Sequence, residues 1–302
     1  MAAPALIAEQ LDWENPQQIG LWSDAWSRFR RNRLAVGSLA FVVLMITLAI
    51  IAPLLQRVGL LQDPTAQDVV NNYLGPGAPH HILGTDDLGR DVLSKVIFGS
   101  QVSLSIGILV QAIVLLIGGT IGLVAGYFGG WLDNLLMRFT DIMYAFPDLL
   151  FVLIIVAALG PTLLNIFVAI GLVSWVGLAR LVRGQVLSIK EKEYVEAAHA
   201  AGTSPMKIIL KHLLPNSLGP VIVTLTFGIP AAIFTEAVLD FLGVGLRPPQ
   251  PTWGVMVFEG YAAVDAYPYL VIIPCVALSL TMLAFNFIGD GLRDALDPRM
   301  RR

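Results

Sequence analysis

Residues equipped for chemistry are few in this sequence, and their spacing does not suit the common reactions. The four histidines are His80, His81, His199 and His212. The adjacent pair lacks the one-face spacing of typical metal ligands. No H-E-x-x-H and no G-x-S-x-G occurs, so no catalytic residue and no resident metal is expected. None of the five lysines follows a glycine. A G-x-x-x-x-G-K-[ST] phosphate loop is therefore absent, and the chain is expected to hold no nucleotide or other cofactor of its own. The acids in unusual settings are Asp141, Asp148, Glu236 and Asp240, which fall in or beside long apolar runs. A charge at mid-bilayer costs roughly 2.5–3.5 kcal/mol on insertion scales, so such residues face an interior or an interface. Asp141 and Asp148 read as positional, whereas Glu236 reads equally as pathway-lining or as packing. The stretch Gly84–Asp91, GTDDLGRD, gathers acids and glycines but lacks the 12-residue spacing and closing glutamate of a calcium loop. It reads as a turn in which Thr85 or Asp86 caps the helix that follows.

The elements that carry these residues are set by composition. Of 302 residues, 56% are hydrophobic and 14% charged, against about 25% charged in a soluble domain. An all-α integral membrane protein follows, because each span must satisfy its own backbone hydrogen bonds. Nothing in the charge pattern suggests nucleic acid. The single cysteine, Cys275, excludes an intramolecular disulfide. A span needs about 20 mostly apolar residues. Six candidates are Leu34–Leu55, Val102–Tyr127, a segment within Leu132–Leu159, Leu163–Leu178, Leu218–Leu239 and Tyr269–Ile288. The first is too long for a cleavable signal and reads as an anchor. With the N-terminus inside, the outer side keeps only Arg57, Arg90, Lys95 and Arg247, and the other 15 of 19 basic residues lie inside. The positive-inside rule then places both termini in the cytoplasm.

Three regions follow. Residues 1–33 form a cytoplasmic segment, 34–100 the first span and an outer loop, and 101–302 a core whose cytoplasmic loop covers about 190–216. Trp22, Trp26 and Phe29 recur at helical spacing before four arginines, which suits an interfacial helix or a plain basic flank. Gly118, Gly122, Gly126 and Gly130 recur every four residues, a small-residue face on which a neighbouring backbone can settle. Pro147 and Pro230 are expected to bend or end their helices.

One polar interval, Arg180 to Asn216, interrupts the apolar runs with EAAHAAGTSP at its centre. Glu193–Ala201 reads as a short helix ended by a left-handed Gly202. Thr203 or Ser204 then caps a second helix with Pro205 in its first position. The product is an exposed elbow that suits a groove on a partner, or else a connector with no partner.

Glu196-Ala197-Ala198, then Gly202, Ser204 and Pro205, then Leu214-Pro215 resembles the EAA signature of permease subunits in binding-protein-dependent ABC importers. His212 stands where the signature has isoleucine. Leu83–Lys95, Tyr127–Pro147, Glu236–Gly254 and Ile288–Arg299 resemble the C-type permeases of dipeptide and oligopeptide importers, so that the likeness spans most of residues 22–302. It implies a six-helix, MetI-like type I importer fold in a prokaryotic inner membrane. It also implies a second permease as partner, two ATPases that each receive such an elbow from one permease, and a binding protein on the outer face. Asp86, Asp87, Arg90 and Glu236 are then candidates for pathway or binding-protein contact. Nickel and other small solutes pass through similar permeases. A polytopic membrane enzyme, the competing class, would need ionisable residues converging at depth, and too few are present.

Overall fold

The computed structural model describes residues 21–297, and among them every regular element is helical. Arg299, Arg301, Arg302 and the side chain of Trp22 lie outside the described residues. Four helices are long and apolar enough to cross a membrane, and two bent pairs bring the number to six.

Helix α1 (Leu21–Arg31) precedes α2 (Arg33–Arg57), whose first turn is capped by Asn32 through Ala35 N at 3.1 Å. Pro53 lies inside α2 and cannot donate to the carbonyl of Ala49. The Gln101 amide of the next span supplies that hydrogen bond instead, which is how a membrane helix tolerates proline. Span two joins α3 (Val92–Val114), a π turn (Leu115–Gly119) and α4 (Thr120–Phe128) into 37 helical residues. It begins at Val92, well before the apolar run suggested. The cap is Asp91, which accepts from Ser94 N at 2.8 Å, and not Thr85 or Asp86.

Spans three and four are the bent pairs. Helix α5 (Gly130–Ala145) meets α6 (Asp148–Leu159) at 86°. Pro147 causes the break: it biases Phe146 to an extended backbone, here ψ 138°. Helix α7 (Leu163–Ser174) continues at 43° into α8 (Val176–Lys190). The apolar run stops at Leu178, yet α8 continues, because Leu178, Val182, Val186 and Ile189 hold one buried face.

The elbow is built from α9 (Glu193–Ala200), α10 (Pro205–Ile208) and a π turn (Ile209–Leu213). Helix α11 (Leu214–Phe241) is span five and runs unbroken through both Pro220 and Pro230. Sequence patterning put no helix between spans five and six, but α12 (Trp253–Tyr261) stands there, capped by Thr252 through Val255 N at 3.0 Å. Helix α13 (Tyr269–Leu296) is span six.

Three apolar clusters organise the bundle. The first joins α3, α6, α7, α8, the elbow and α11; the second joins α1, α2, α3, α11, α12 and α13; a small third gathers Trp175, Val176 and Ala179. The first depends on close approach between spans two and four. A Cβ on Gly118 would lie 2.6 Å from the Trp175 carbonyl oxygen, and one on Gly122 would lie 2.3 Å from that of Ala179. One on Gly126 would lie 2.8 Å from Val186 Cβ. Gly130 does not extend the row. It opens α5 at φ 57° with nothing within 4 Å of its Cβ direction, because the chain turns away after Phe128.

Candidate functional site

The elbow is a polar structure held by a few apolar pegs. Val195, Ile208 and Leu213 are fully buried and tie it to the first core. Gly202 sits at φ 72°, as the geometry of a left-handed helix end requires. Thr203 N donates to Ala198 O at 3.1 Å and Gly202 N to His199 O at 3.0 Å, the two bonds of a Schellman ending. Ser204 occupies the cap position of α10 without a side-chain hydrogen bond, and Pro205 takes the first turn. Leu214 and Pro215 open α11. His212 is half-buried and its ring tilts against Tyr194 at 5.9 Å, while Ile208, Ile209 and Leu213 make the buried apolar contacts around it. Lys190 Nζ donates to Tyr127 O at 2.7 Å, and the Tyr127 ring stacks on His199 at 6.2 Å, fastening the elbow to the end of span two.

The remaining elbow face is open. Glu196, Ala197, Ala200, Gly202, Ser204 and Pro205 are all exposed, and Met206 is 63% exposed. The Glu196 side chain has no hydrogen-bond or ion-pair partner among the described residues. Two ion pairs brace the helices beside it. Arg183 grips Asp133 bidentately at 2.6 and 2.7 Å, and Arg180 meets Asp141 at 2.7 Å while lying 4.4 Å over the Tyr144 ring.

A cavity of about 480 Å³ lies between α3, the α5–α6 break, the α7–α8 break and α11. Both interruptions border it, as expected where non-helical backbone at depth lines a cavity. Its polar lining is Gln111, Tyr144, Asp148, Ser174, Thr224 and Thr235. Asp148, at the first turn of α6, is also where a helix N-terminus favours negative charge.

The outer side carries a second polar assembly. Arg90 Nε donates to Asp86 at 2.6 Å and its other nitrogen to Glu259 at 2.9 Å; Lys95 Nζ donates to the same two carboxylates at 2.7 Å each. Burial works against a charged Asp86, but Lys95 and then Arg90 outweigh it and hold the carboxyl below the usual carboxylate range. Asp87 is 48% exposed and reaches Arg90 only at 3.4 Å. The segment is moulded onto residues 68–75: a Cβ on Gly89, at φ 72°, would fall 1.8 Å from Asp68 O. His81 pairs with Asp91 at 3.0 Å. Among the described residues no group of three or more His, Cys, Asp or Glu is placed to hold a metal.

Of the expected outer contacts, only Asp87 is exposed; Asp86 and Arg90 are buried structural ions. Glu236 is 0% exposed and borders neither this cluster nor the cavity. Sequence reasoning missed Glu259, which lies 169 residues from Arg90 and on the unexpected α12. Thr252 as a cap ahead of the apolar run Val255–Phe258 was the available signal for that helix.

Comparison with known proteins adds the following. Residues 118–302 match the family described as the binding-protein-dependent transport system inner membrane component. Residues 20–76 match the N-terminal transmembrane domain of oligopeptide transport permease C. The chain is 40% identical to the oligopeptide transport system permease protein of Bacillus subtilis, over 100% of this chain and 96% of the relative. It is 42% identical to the dipeptide transport system permease protein of Alkalihalophilus pseudofirmus, over 93% and 90%. In fold it is similar to an inward-facing structure of the MetNI methionine ABC transporter, with a TM-score of 0.53 and 19% identity over 68% of this chain and 97% of that one.

Proposed function

The chain belongs to the family of inner membrane components of binding-protein-dependent transport systems, and from that premise we propose that it forms half of the path by which an ATP-driven importer moves peptides into the cell. It is a multi-pass transport subunit and not an enzyme. The observation that carries the peptide reading is the 40–42% identity to oligopeptide and dipeptide permeases, which runs through the outer loop and the first span as well as the core. A related permease supplies the other half of the path, a binding protein delivers the cargo, and two ATPases supply the energy.

The elbow Glu196–Pro205 is the part offered to an ATPase. Its pegs fix its position on the bundle, while its exposed alanine face and unpaired Glu196 wait for a groove and a donor. Movement of the docked ATPase passes through Val195, Ile208 and Leu213 into α8 and α11, whose surfaces border the cavity. The cavity with Asp148 and Gln111 is the part of the path this subunit lines. The chain itself holds neither nucleotide nor metal.

The test is reconstitution of the complete importer in liposomes. Uptake of a labelled dipeptide or oligopeptide that needs ATP inside, the binding protein outside and this subunit in the membrane supports the proposal. Uptake of a metal chelate in place of any peptide would assign a different cargo. Uptake without an ATPase subunit would overturn the energy assignment.

A further inference from the structure

Glu236 and Asp240 stand one turn apart on α11, and neither takes part in the cavity or the outer charge cluster. Their settings differ. Asp240 is 1% exposed and well supplied: Leu246 N donates to Oδ1 at 2.6 Å, and the Thr252 hydroxyl donates to Oδ2. Through these two bonds it fixes both ends of the connection between α11 and α12. Glu236 is 0% exposed and poorly supplied. Ser103 Oγ donates to Oε2 at 3.2 Å, whereas among the described residues no N–H or O–H donor reaches Oε1. The polar groups around it are Ser103 on α3, Thr252 at the start of α12 and the carboxyl of Asp240.

Among the described residues no cation pairs with either carboxylate. The nearby cations on the outer half of α3 and the loop before it, Lys95 and Arg90, are both taken by Asp86 and Glu259. Arg247, next to Leu246, is exposed. Two bare carboxylates one turn apart repel each other, and an ion buried without a partner is among the costliest arrangements a protein interior can hold. A carboxylic acid against a carboxylate removes both difficulties. It halves the buried charge, gives the orphan oxygen an O–H to donate, and makes a charge-assisted hydrogen bond.

We propose that Glu236 and Asp240 are a one-proton site. Glu236 is a neutral acid that donates through Oε1 to Asp240, and Asp240 stays charged to hold Leu246 and Thr252. The ligand is a proton and the role is positional. The site locks the α11–α12 connection, and with it the helix that carries Glu259, onto the outer end of span five.

The experiment is infrared spectroscopy of the assembled importer in nanodiscs at neutral pH, with the C=O stretch of a protonated carboxyl as readout and exchange into heavy water to identify it. Wild type is expected to show the band. E236Q is expected to lose it while keeping the wild-type unfolding midpoint, because glutamine can accept from Ser103 and donate to Asp240. E236A is expected to lose the band and to unfold at lower temperature. E236D, which keeps a titratable group, is expected to move the band and not abolish it. A wild-type spectrum without the band, a band unchanged in both E236Q and E236D, or an E236Q midpoint as low as that of E236A would each overturn the site. Should E236Q fail to assemble, wild type and E236D decide the matter. None of these readouts depends on which cargo the importer carries.

Discussion

The outer charge cluster and the inner elbow are both polar interruptions in an apolar chain, and they are built in opposite ways. On the outer side both cations meet Asp86 and Glu259, and Arg90, Lys95 and Asp86 are buried within one chain. On the inner side the Glu196 side chain is exposed and unpaired, and the elbow is held to the bundle by three apolar pegs and the Tyr127–His199 stack. Buried charge must be neutralised where it lies, because no water is left to do so. Exposed charge stays hydrated until another protein covers it. The contrast separates what this subunit completes alone from what it leaves for a partner.

The sharpest way to break the contrast is to unbalance the outer cluster. Lys95→Met leaves Arg90 alone to neutralise both Asp86 and Glu259 and is expected to cost about 3–5 kcal/mol, the range for one partner lost from a buried ionic set. Thermal unfolding of the purified permease reads the effect; an unchanged midpoint would make the cluster ornamental. Gly122→Leu is next. A side chain there meets the Ala179 carbonyl, and overpacking of this kind costs about 1–3 kcal/mol. The separation of spans two and four, read by paired spin labels, is expected to widen.

Acid offers a gentler test. Because the folded Asp86 carboxyl is held below its ordinary value, its contribution is complete above the unfolded value of about 4 and is lost as pH falls through the folded one. The unfolding midpoint is expected to fall in that acid window, and Asp86→Asn to remove that part of the slope at the cost of a lower midpoint throughout. The smallest effects on stability belong to the elbow. Gly202→Val carries a Cβ clash of about 1–2 kcal/mol, spent on the local turn and not on the bundle. Glu196→Ala, at an exposed and unpaired site, is expected to leave stability within about 0.5 kcal/mol.

How far the sequence revealed this depends on range. Six crossings were legible because apolar runs of span length have few alternatives. The break at Pro147 and the turn at Gly202 were legible because one residue type dictates each. The continuation of α8 was hidden, since Arg180, Arg183 and Lys190 end the apolar run while the buried face continues past them on every third or fourth residue. Pro230 was expected to bend or end its helix, and α11 does not end there. The outer cluster was legible only as a suspicious stretch, Gly84–Asp91. Its closing member, Glu259, is joined to it by the fold alone. Glu236 read equally as pathway-lining or as packing because an acid in a span is rare, and its full burial against Ser103 is set by the fold and not by local sequence.

The central claim is that the elbow is unfinished by design and is completed by an ATPase. The direct measurement is the affinity of the purified permease pair for its ATPase, taken for wild type, Glu196→Ala and Gly202→Val alongside the unfolding midpoint of each. A charge-assisted hydrogen bond is worth about 1.5–3 kcal/mol, so Glu196→Ala is expected to weaken docking by about one to two orders of magnitude with its midpoint at the wild-type value, and Gly202→Val is expected to weaken docking as well, with its midpoint lowered by no more than the local clash. Wild-type affinity in both variants would show the elbow to be a connector and contradict the account.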